Sequence, residues 1–362
     1  MIIIFILFCQ LLKTTKVILV WLLPFFYDIL AYMTRPDWPI IGNSEAIDFL
    51  ESLLAFERFK PGSIGGTYLF VGPNRVGRTS SVEHFIRRLF GNDSQSEPGT
   101  IDMWPDVFRL RRQADKKEIG VEQAREFSSR LALSAFTDSY RVGIIHEADL
   151  LSTEAANALL KSLEEARDKV IIFLITEQAD SLPATVLSRS QPITFHPVSN
   201  DELYEWLITE HGLNRPFAKN IARLADGRPG LALALAQDKV LLESYLSPAR
   251  IFISSTKNRL YEKWQAATKL LAGHKGPELV SATENIIAAW RGITRDIIMV
   301  LLNQPELVRY AFLEKEIREC ANSLGLAEAR ALEEKLTKAS SYLRANVNPN
   351  IILENILINL YA

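Results

Sequence analysis

The sequence predicts an α/β layered domain on a parallel sheet, then a small helical domain, then a larger all-α domain. Three observations carry that expectation. Val142-Gly143-Ile144-Ile145 and Val170-Ile171-Ile172-Phe173-Leu174-Ile175 are apolar runs without alternation, the pattern of strands covered on both faces. These runs alternate with amphipathic helical stretches, as a parallel sheet with crossover helices requires. The alternation stops near residue 198, and after about residue 243 no strand signal remains.

Taken in order, a helix over Ser44 to Phe59 sets Ile47, Leu50, Leu53 and Leu54 at helical spacing. Thr67-Tyr68-Leu69-Phe70-Val71 is a short buried strand that runs straight into Gly72, and a second helix covers about Arg78 to Phe90. Gly91 to Gly99 is polar and rich in Gly, Pro and Ser, hence a loop. Ser199-Asn200-Asp201-Glu202 is a capping box, in which the hydroxyl and the carboxylate satisfy backbone donors at a helix start. The next helix runs from about Asn214 to Asp226-Gly227. Breaks at Gly273 to Pro277, Asn303 to Pro305, Gly325 and Asn346 to Pro349 divide the amphipathic remainder. The expected domains are 33–197, 198–242 and 243–362.

The chain has 362 residues, with 41 Lys+Arg against 43 Asp+Glu and a net charge of -2. That balance argues against nucleic-acid binding through bulk positive charge and leaves only a local basic stripe. Arg109, Arg111, Arg112, Lys116 and Lys117 form one such cluster, although clusters of this kind more often decorate a solvated loop. A hydrophobic fraction of 48% excludes a mostly disordered chain. Only Cys9 and Cys320 are present, which excludes a disulfide framework and a four-cysteine metal site and fits a reducing compartment. Residues 1–32 differ in composition: Ile2 to Phe8 and Val17 to Tyr27 are apolar runs split by Lys13 and Lys16. Each is shorter than the roughly 20 residues of a bilayer span. No small-x-small cleavage site follows them, so the expectation is a start-site artefact upstream of Met33, with a membrane anchor as the alternative.

Gly72-Pro73-Asn74-Arg75-Val76-Gly77-Arg78-Thr79 lies between a strand and a helix in the frame of a phosphate loop, with arginine in the lysine place. In such a loop glycines let backbone N–H groups converge on phosphate, and the hydroxyl ligates Mg²⁺. Lysine serves there as a compact point charge, and the planar fork of Arg78 does not fit the same space. The second strand ends in Ile145-His146-Glu147-Ala148-Asp149, so His146 stands where an aspartate would hold the metal and Glu147 keeps the place of the water-polarising carboxylate. Imidazole is a poor ligand for Mg²⁺. Two lesions in one chemistry predict a retained fold with lost hydrolysis and at most vestigial ATP and Mg²⁺ binding. The plainer alternatives are a Gly-rich turn that holds no nucleotide, and Glu147 and Asp149 as caps of the helix near Ser152.

Asn157-Ala158-Leu159-Leu160-Lys161-Ser162-Leu163-Glu164-Glu165 resembles the N-A-L-L-K-x-L-E-E segment of bacterial clamp-loader subunits of the AAA+ class. Leu182-Pro183-Ala184-Thr185-Val186-Leu187-Ser188-Arg189-Ser190 is similar to their L-P-x-T-[IV]-x-S-R-C motif, with serine for the last cysteine. Trp104-Pro105-Asp106-Val107 and Ile119-Gly120-Val121-Glu122-Gln123-Ala124-Arg125 resemble the elements between the two nucleotide motifs. Asn346-Val347-Asn348-Pro349-Asn350-Ile351-Ile352-Leu353-Glu354 resembles the close of the delta-prime members. The likeness runs from about Met33 to Ala362.

The resemblance implies an AAA+ phosphate-loop domain, a helical lid and an oligomerisation collar. In that family gamma and tau hydrolyse ATP and delta-prime has decayed nucleotide motifs, which Arg78 and His146 match. It further implies a fixed, cytoplasmic subunit in an arc with gamma/tau-like motors and a delta subunit, acting through the complex on a sliding clamp and primed DNA. Arg189 would be an arginine finger in trans; the plainer alternative is a surface pair with a carboxylate such as Glu165. The chain departs from the family in three places. No cysteine falls in residues 91–140, so no zinc is expected; Ala166 replaces the usual proline; and Arg228 in Gly227-Arg228-Pro229-Gly230 stands at the sensor position, where a helix C-cap turn is the plainer reading. The competing functions are an ATP-hydrolysing motor subunit and a membrane-tethered AAA+ adaptor using residues 1–32.

Overall fold

The computed structural model describes residues 38–91, 104–113, 116–133, 140–166, 169–256, 259–345 and 347–358. The apolar extension at 1–32 and most of the polar loop from Gly91 to Gly99 lie outside the described residues. Every described strand and helix lies within Ile40–Ala362. Among the described residues no helix is long and apolar enough to cross a membrane.

Five parallel strands form the sheet: β1 (Gly66–Val71), β2 (Val107–Leu110), β3 (Arg141–Ile145), β4 (Val170–Thr176) and β5 (Gln191–Thr194). They lie in the order β2-β3-β4-β1-β5, and Val71 is in register with both Thr176 and Thr194. The site-bearing end of β1 is therefore flanked by the ends of β4 and β5.

Successive strand residues face opposite sides, and the two sides have different chemistry. Tyr68, Phe70, Phe173 and Phe195 point one way into an aromatic layer, joined by Phe49 of α1 (Ser44–Phe59) and Phe85 of α2 (Arg78–Leu89). Leu69, Ile172 and Leu174 point the other way, into mainly aliphatic packing with α3 (Val121–Leu131), α4 (Thr153–Glu164) and the short α5 (Ala184–Leu187), to which α3 adds Phe127. Leu159, Leu163, Leu182 and Val186 belong to that second core, and they seat α5 against α4. Covering both faces accounts for the unbroken apolar strands.

The α-helices that follow among the described residues are α6 (Asn200–Thr209), α7 (Arg215–Ala225), α8 (Pro229–Gln237), α9 (Lys239–Ser255), α10 (Leu260–Leu271), α11 (Gly276–Leu301), α12 (Glu314–Ser323), α13 (Leu326–Arg344) and α14 (Pro349–Ile358). Ser199 caps α6 by accepting from Glu202 N at 3.1 Å, and Asn214 caps α7 by accepting from Phe217 N at 3.0 Å. One hydrophobic core runs from Leu203 to Leu357. At its centre the buried Trp290 donates its indole N–H to Pro248 O at 3.0 Å, inside a helix that the proline interrupts without ending. Asp296 is fully buried; it accepts from Arg309 N at 3.0 Å and Tyr310 N at 2.8 Å and ties the following turn to α11. Burial raises its pKa, and these backbone donors pull the other way.

Candidate functional site

The phosphate-loop frame is built as its glycines demand. Gly72 has φ +150°, and a Cβ there would stand 2.2 Å from the Phe195 carbonyl oxygen, so any side chain would drive β1 and the end of β5 apart. Gly72 N donates to Thr176 O at 3.2 Å. Gly77, with φ +108°, is the N-cap of α2, and a Cβ there would meet Ile40 at 2.8 Å. The local fold is thus a real strand-loop-helix turn between two neighbouring strands.

Arg78 does not point outward from it. The side chain is 6% exposed, and its Nη1 donates to Thr176 O, the same carbonyl that takes the Gly72 N–H. Burial lowers the guanidinium pKa, and the charges of Glu177 and Asp149 oppose that, so the group stays a cation. Thr176 Oγ1 in turn donates to Asp149 Oδ1 at 2.8 Å. The cation in the lysine place is therefore held by the end of β4. Thr79 sits half-buried in the first turn of α2.

The end of β3 is equally diverted. His146 Nε2 lies 3.4 Å from Arg109 Nη1, and Arg109 Nη2 donates to Glu83 Oε1 at 2.9 Å. Glu147 is exposed in the left-handed region with φ +50°, its carboxylate 3.8 Å from Arg112 Nε. The capping alternative fails here: Ser152 caps α4, accepting from Ala155 N at 3.1 Å, while Asp149 serves Thr176 and Glu147 serves Arg112. A hydroxyl, an imidazole beside a guanidinium and a carboxylate turned to another arginine do not make the oxygen-rich octahedron that Mg²⁺ needs. The residues present do not fit a catalytic ATP–Mg²⁺ site. Arg109 and Arg112 of the basic cluster are engaged within the fold, whereas Arg111 is exposed.

Helix α8 closes on the loop itself. Gly230 N donates to Arg75 O at 3.0 Å, and a Cβ on Gly230 would press that oxygen at 3.1 Å. A helix N-terminus is a natural anion site, yet this donor meets the carbonyl of Arg75, a residue held at φ +65°. Arg228 is used nearby: its Nε donates to Ala225 O at 2.9 Å and its Nη2 to the Tyr245 hydroxyl at 3.2 Å. That is the C-cap turn, with Asp226 and Gly227 both left-handed.

Arg189 has the opposite setting. It follows α5, which the buried Val186 anchors against α4, and its side chain is 33% exposed. Its partner is Glu164, one residue from the expected Glu165. Nε donates to Glu164 Oε1 at 2.6 Å, Nη2 pairs with the same oxygen, and Nη1 donates to Thr185 O at 2.9 Å and to Ser188 Oγ at 3.2 Å. Arg189 is held by Glu164, Thr185 and Ser188, whereas Arg78 is held by Thr176 and His146 lies beside Arg109. Thr176 and Glu164 are the site residues sequence reasoning missed. Thr176 stands one residue past the apolar run that ends at Ile175, where the strand itself extends to Thr176, and Glu164 was signalled only as half of a Glu-Glu pair.

Residues 44–199 match the protein family described as DNA polymerase III, delta subunit. The chain is 35% identical over 133 residues to DNA polymerase III subunit delta' of Escherichia coli, covering 37% of this chain and 40% of that one. It is 27% identical over 238 residues to subunit tau of Bacillus subtilis, covering 59% of this chain and 40% of that one. A solved DNA polymerase III gamma subunit-related protein from Thermotoga maritima aligns with TM-score 0.41 and 18% identity, over 86% of this chain and 98% of that one. The chain spans about two fifths of the length of the curated relatives it matches.

Proposed function

We propose that this chain, a relative of the delta-prime subunits of DNA polymerase III, is a non-hydrolysing clamp-loader subunit that lends Arg189 to the ATP site of a neighbouring motor subunit. The supporting observation is the contrast between its two arginines. Arg78 is buried against the Thr176 carbonyl, where it cannot reach a phosphate, and Arg189 stands at the surface on a rigid seat. A guanidinium placed beside a γ-phosphate from another chain stabilises charge that develops in the transition state. A subunit without a working site can therefore govern one.

In this reading residues 33–197 are the AAA+ domain, 198–242 the lid and 243–362 the collar that joins an arc with gamma/tau-like subunits and a delta subunit. Sliding clamp and primed DNA are reached through that complex, in the cytoplasm. No zinc is required, and nucleotide binding by the chain itself is vestigial. Reconstitution with cognate motor subunits tests it: Arg189→Ala leaves assembly intact and lowers DNA-stimulated ATPase, and unchanged hydrolysis removes the finger role.

The second reading, a hydrolysing motor, draws on the tau match, which covers more of the chain than the delta' match. It conflicts with the engaged Arg78 and with His146. Thr79→Ala in the reconstituted assembly separates the two: the stator reading predicts no change in turnover, the motor reading a loss.

A further inference from the structure

Glu164 is the last residue of α4, where the negative end of the helix dipole disfavours a carboxylate. Its side chain is 51% exposed, so packing does not require it there. What it does is hold Arg189. A guanidinium has five N–H donors in one plane. Glu164 Oε1 takes Nε and one Nη2 hydrogen, Thr185 O takes one from Nη1, and Ser188 Oγ, at 3.2 Å, takes the other more weakly. The contact is side-on. It leaves a hydrogen of Nη2 free, and giving up the Ser188 contact frees one of Nη1, so the outer edge of the fork stays available to an incoming oxyanion.

We propose that Glu164 is a positioning residue for the finger, an inference that rests on the reading of Arg189 as acting in trans. An arginine free in solution loses rotamer entropy when it is fixed at a partner's phosphate. Here the plane and direction of the guanidinium are set before the neighbour arrives, by a carboxylate that α4 carries and a carbonyl that α5 carries, on elements locked together by Leu163 and Val186. Glu164 touches neither nucleotide nor metal; it acts through Arg189.

The test is DNA-stimulated ATPase of the reconstituted assembly with Glu164→Ala, Glu164→Gln, Arg189→Ala and the Glu164→Ala/Arg189→Ala double variant, with assembly followed by light scattering. Glu164→Ala should lower kcat at the served site by about tenfold with KM within about twofold, as lost pre-organisation requires. Glu164→Gln, which keeps the acceptor oxygen and the shape, should recover part of that loss. The double variant should be no slower than Arg189→Ala alone. Wild-type kcat in Glu164→Ala, alongside a slow Arg189→Ala, overturns the positioning role and leaves the finger standing. An additive double variant also overturns it, because Glu164 would then act elsewhere. Wild-type kcat in Arg189→Ala instead removes the finger reading itself. Should Glu164→Ala fail to assemble, Glu164→Gln carries the test alone, and a kcat equal to wild type with KM raised would count against the proposal.

Discussion

Arg78 opens α2 after the glycine loop and Arg189 follows the short α5 in the same α/β layer, and their fates differ in every respect that matters to chemistry. Arg78 is swallowed by the end of β4, with a backbone carbonyl for a partner and two carboxylates around it. Arg189 rests on an exposed carboxylate with part of its fork open to solvent. A buried guanidinium needs fixed acceptors and cannot trade them for a ligand without leaving a charge unpaired in low dielectric. An exposed one exchanges partners at little cost. The same residue type is thus locked into the fold in one place and left partly open at the surface in another, and the difference lies in burial rather than in the side chain.

The comparison is broken or sharpened by four changes, in descending order of effect. Arg189→Ala should slow hydrolysis at the served neighbouring site by about 10³-fold, the lower end for fingers acting in trans, as read from single-turnover rates of the assembly. Gly72→Ala should destabilise the chain by about 3 kcal/mol in urea unfolding, because a Cβ would lie 2.2 Å from the Phe195 carbonyl oxygen at a φ that side chains avoid. Arg78→Lys should free the Thr176 carbonyl and improve nucleotide affinity by about tenfold in calorimetry, the worth of one charged phosphate contact, while hydrolysis stays absent because His146 remains. Arg228→Ala should leave ATPase unchanged and cost about 1 kcal/mol, the loss of its bonds to Ala225 O and the Tyr245 hydroxyl.

Much of the architecture was legible because burial wrote it in periodicity. The first helix has the bounds Ser44–Phe59 that its leucine spacing predicts, and β3 and β4 appear where the unbroken apolar runs lie. The sheet edges were not legible. β2 and β5 are four residues each, only two positions of the first and one of the second are buried, and Pro192 breaks the pattern in β5. Pro248 was silent too: it removes one donor from the ladder of its helix, which Trp290 and the surrounding core also hold.

At the site, residue type was readable and direction was not. The sequence says that an arginine does not fit the lysine place of the loop; only the fold shows that Thr176 takes it up. A Glu-Glu pair offers two carboxylates about 100° apart on a helix, and the seat of α5 on α4 selects Glu164 over Glu165. Thr176 lies 98 residues from Arg78 and Glu164 lies 25 from Arg189 along the chain, separations that no local pattern encodes.

The most direct test of the account is magnesium-dependent phosphate release from ATP by the purified chain alone, in parallel with Thr79→Ala. The account predicts no release above the level of that variant. Steady turnover by the lone chain that Thr79→Ala abolishes would contradict it.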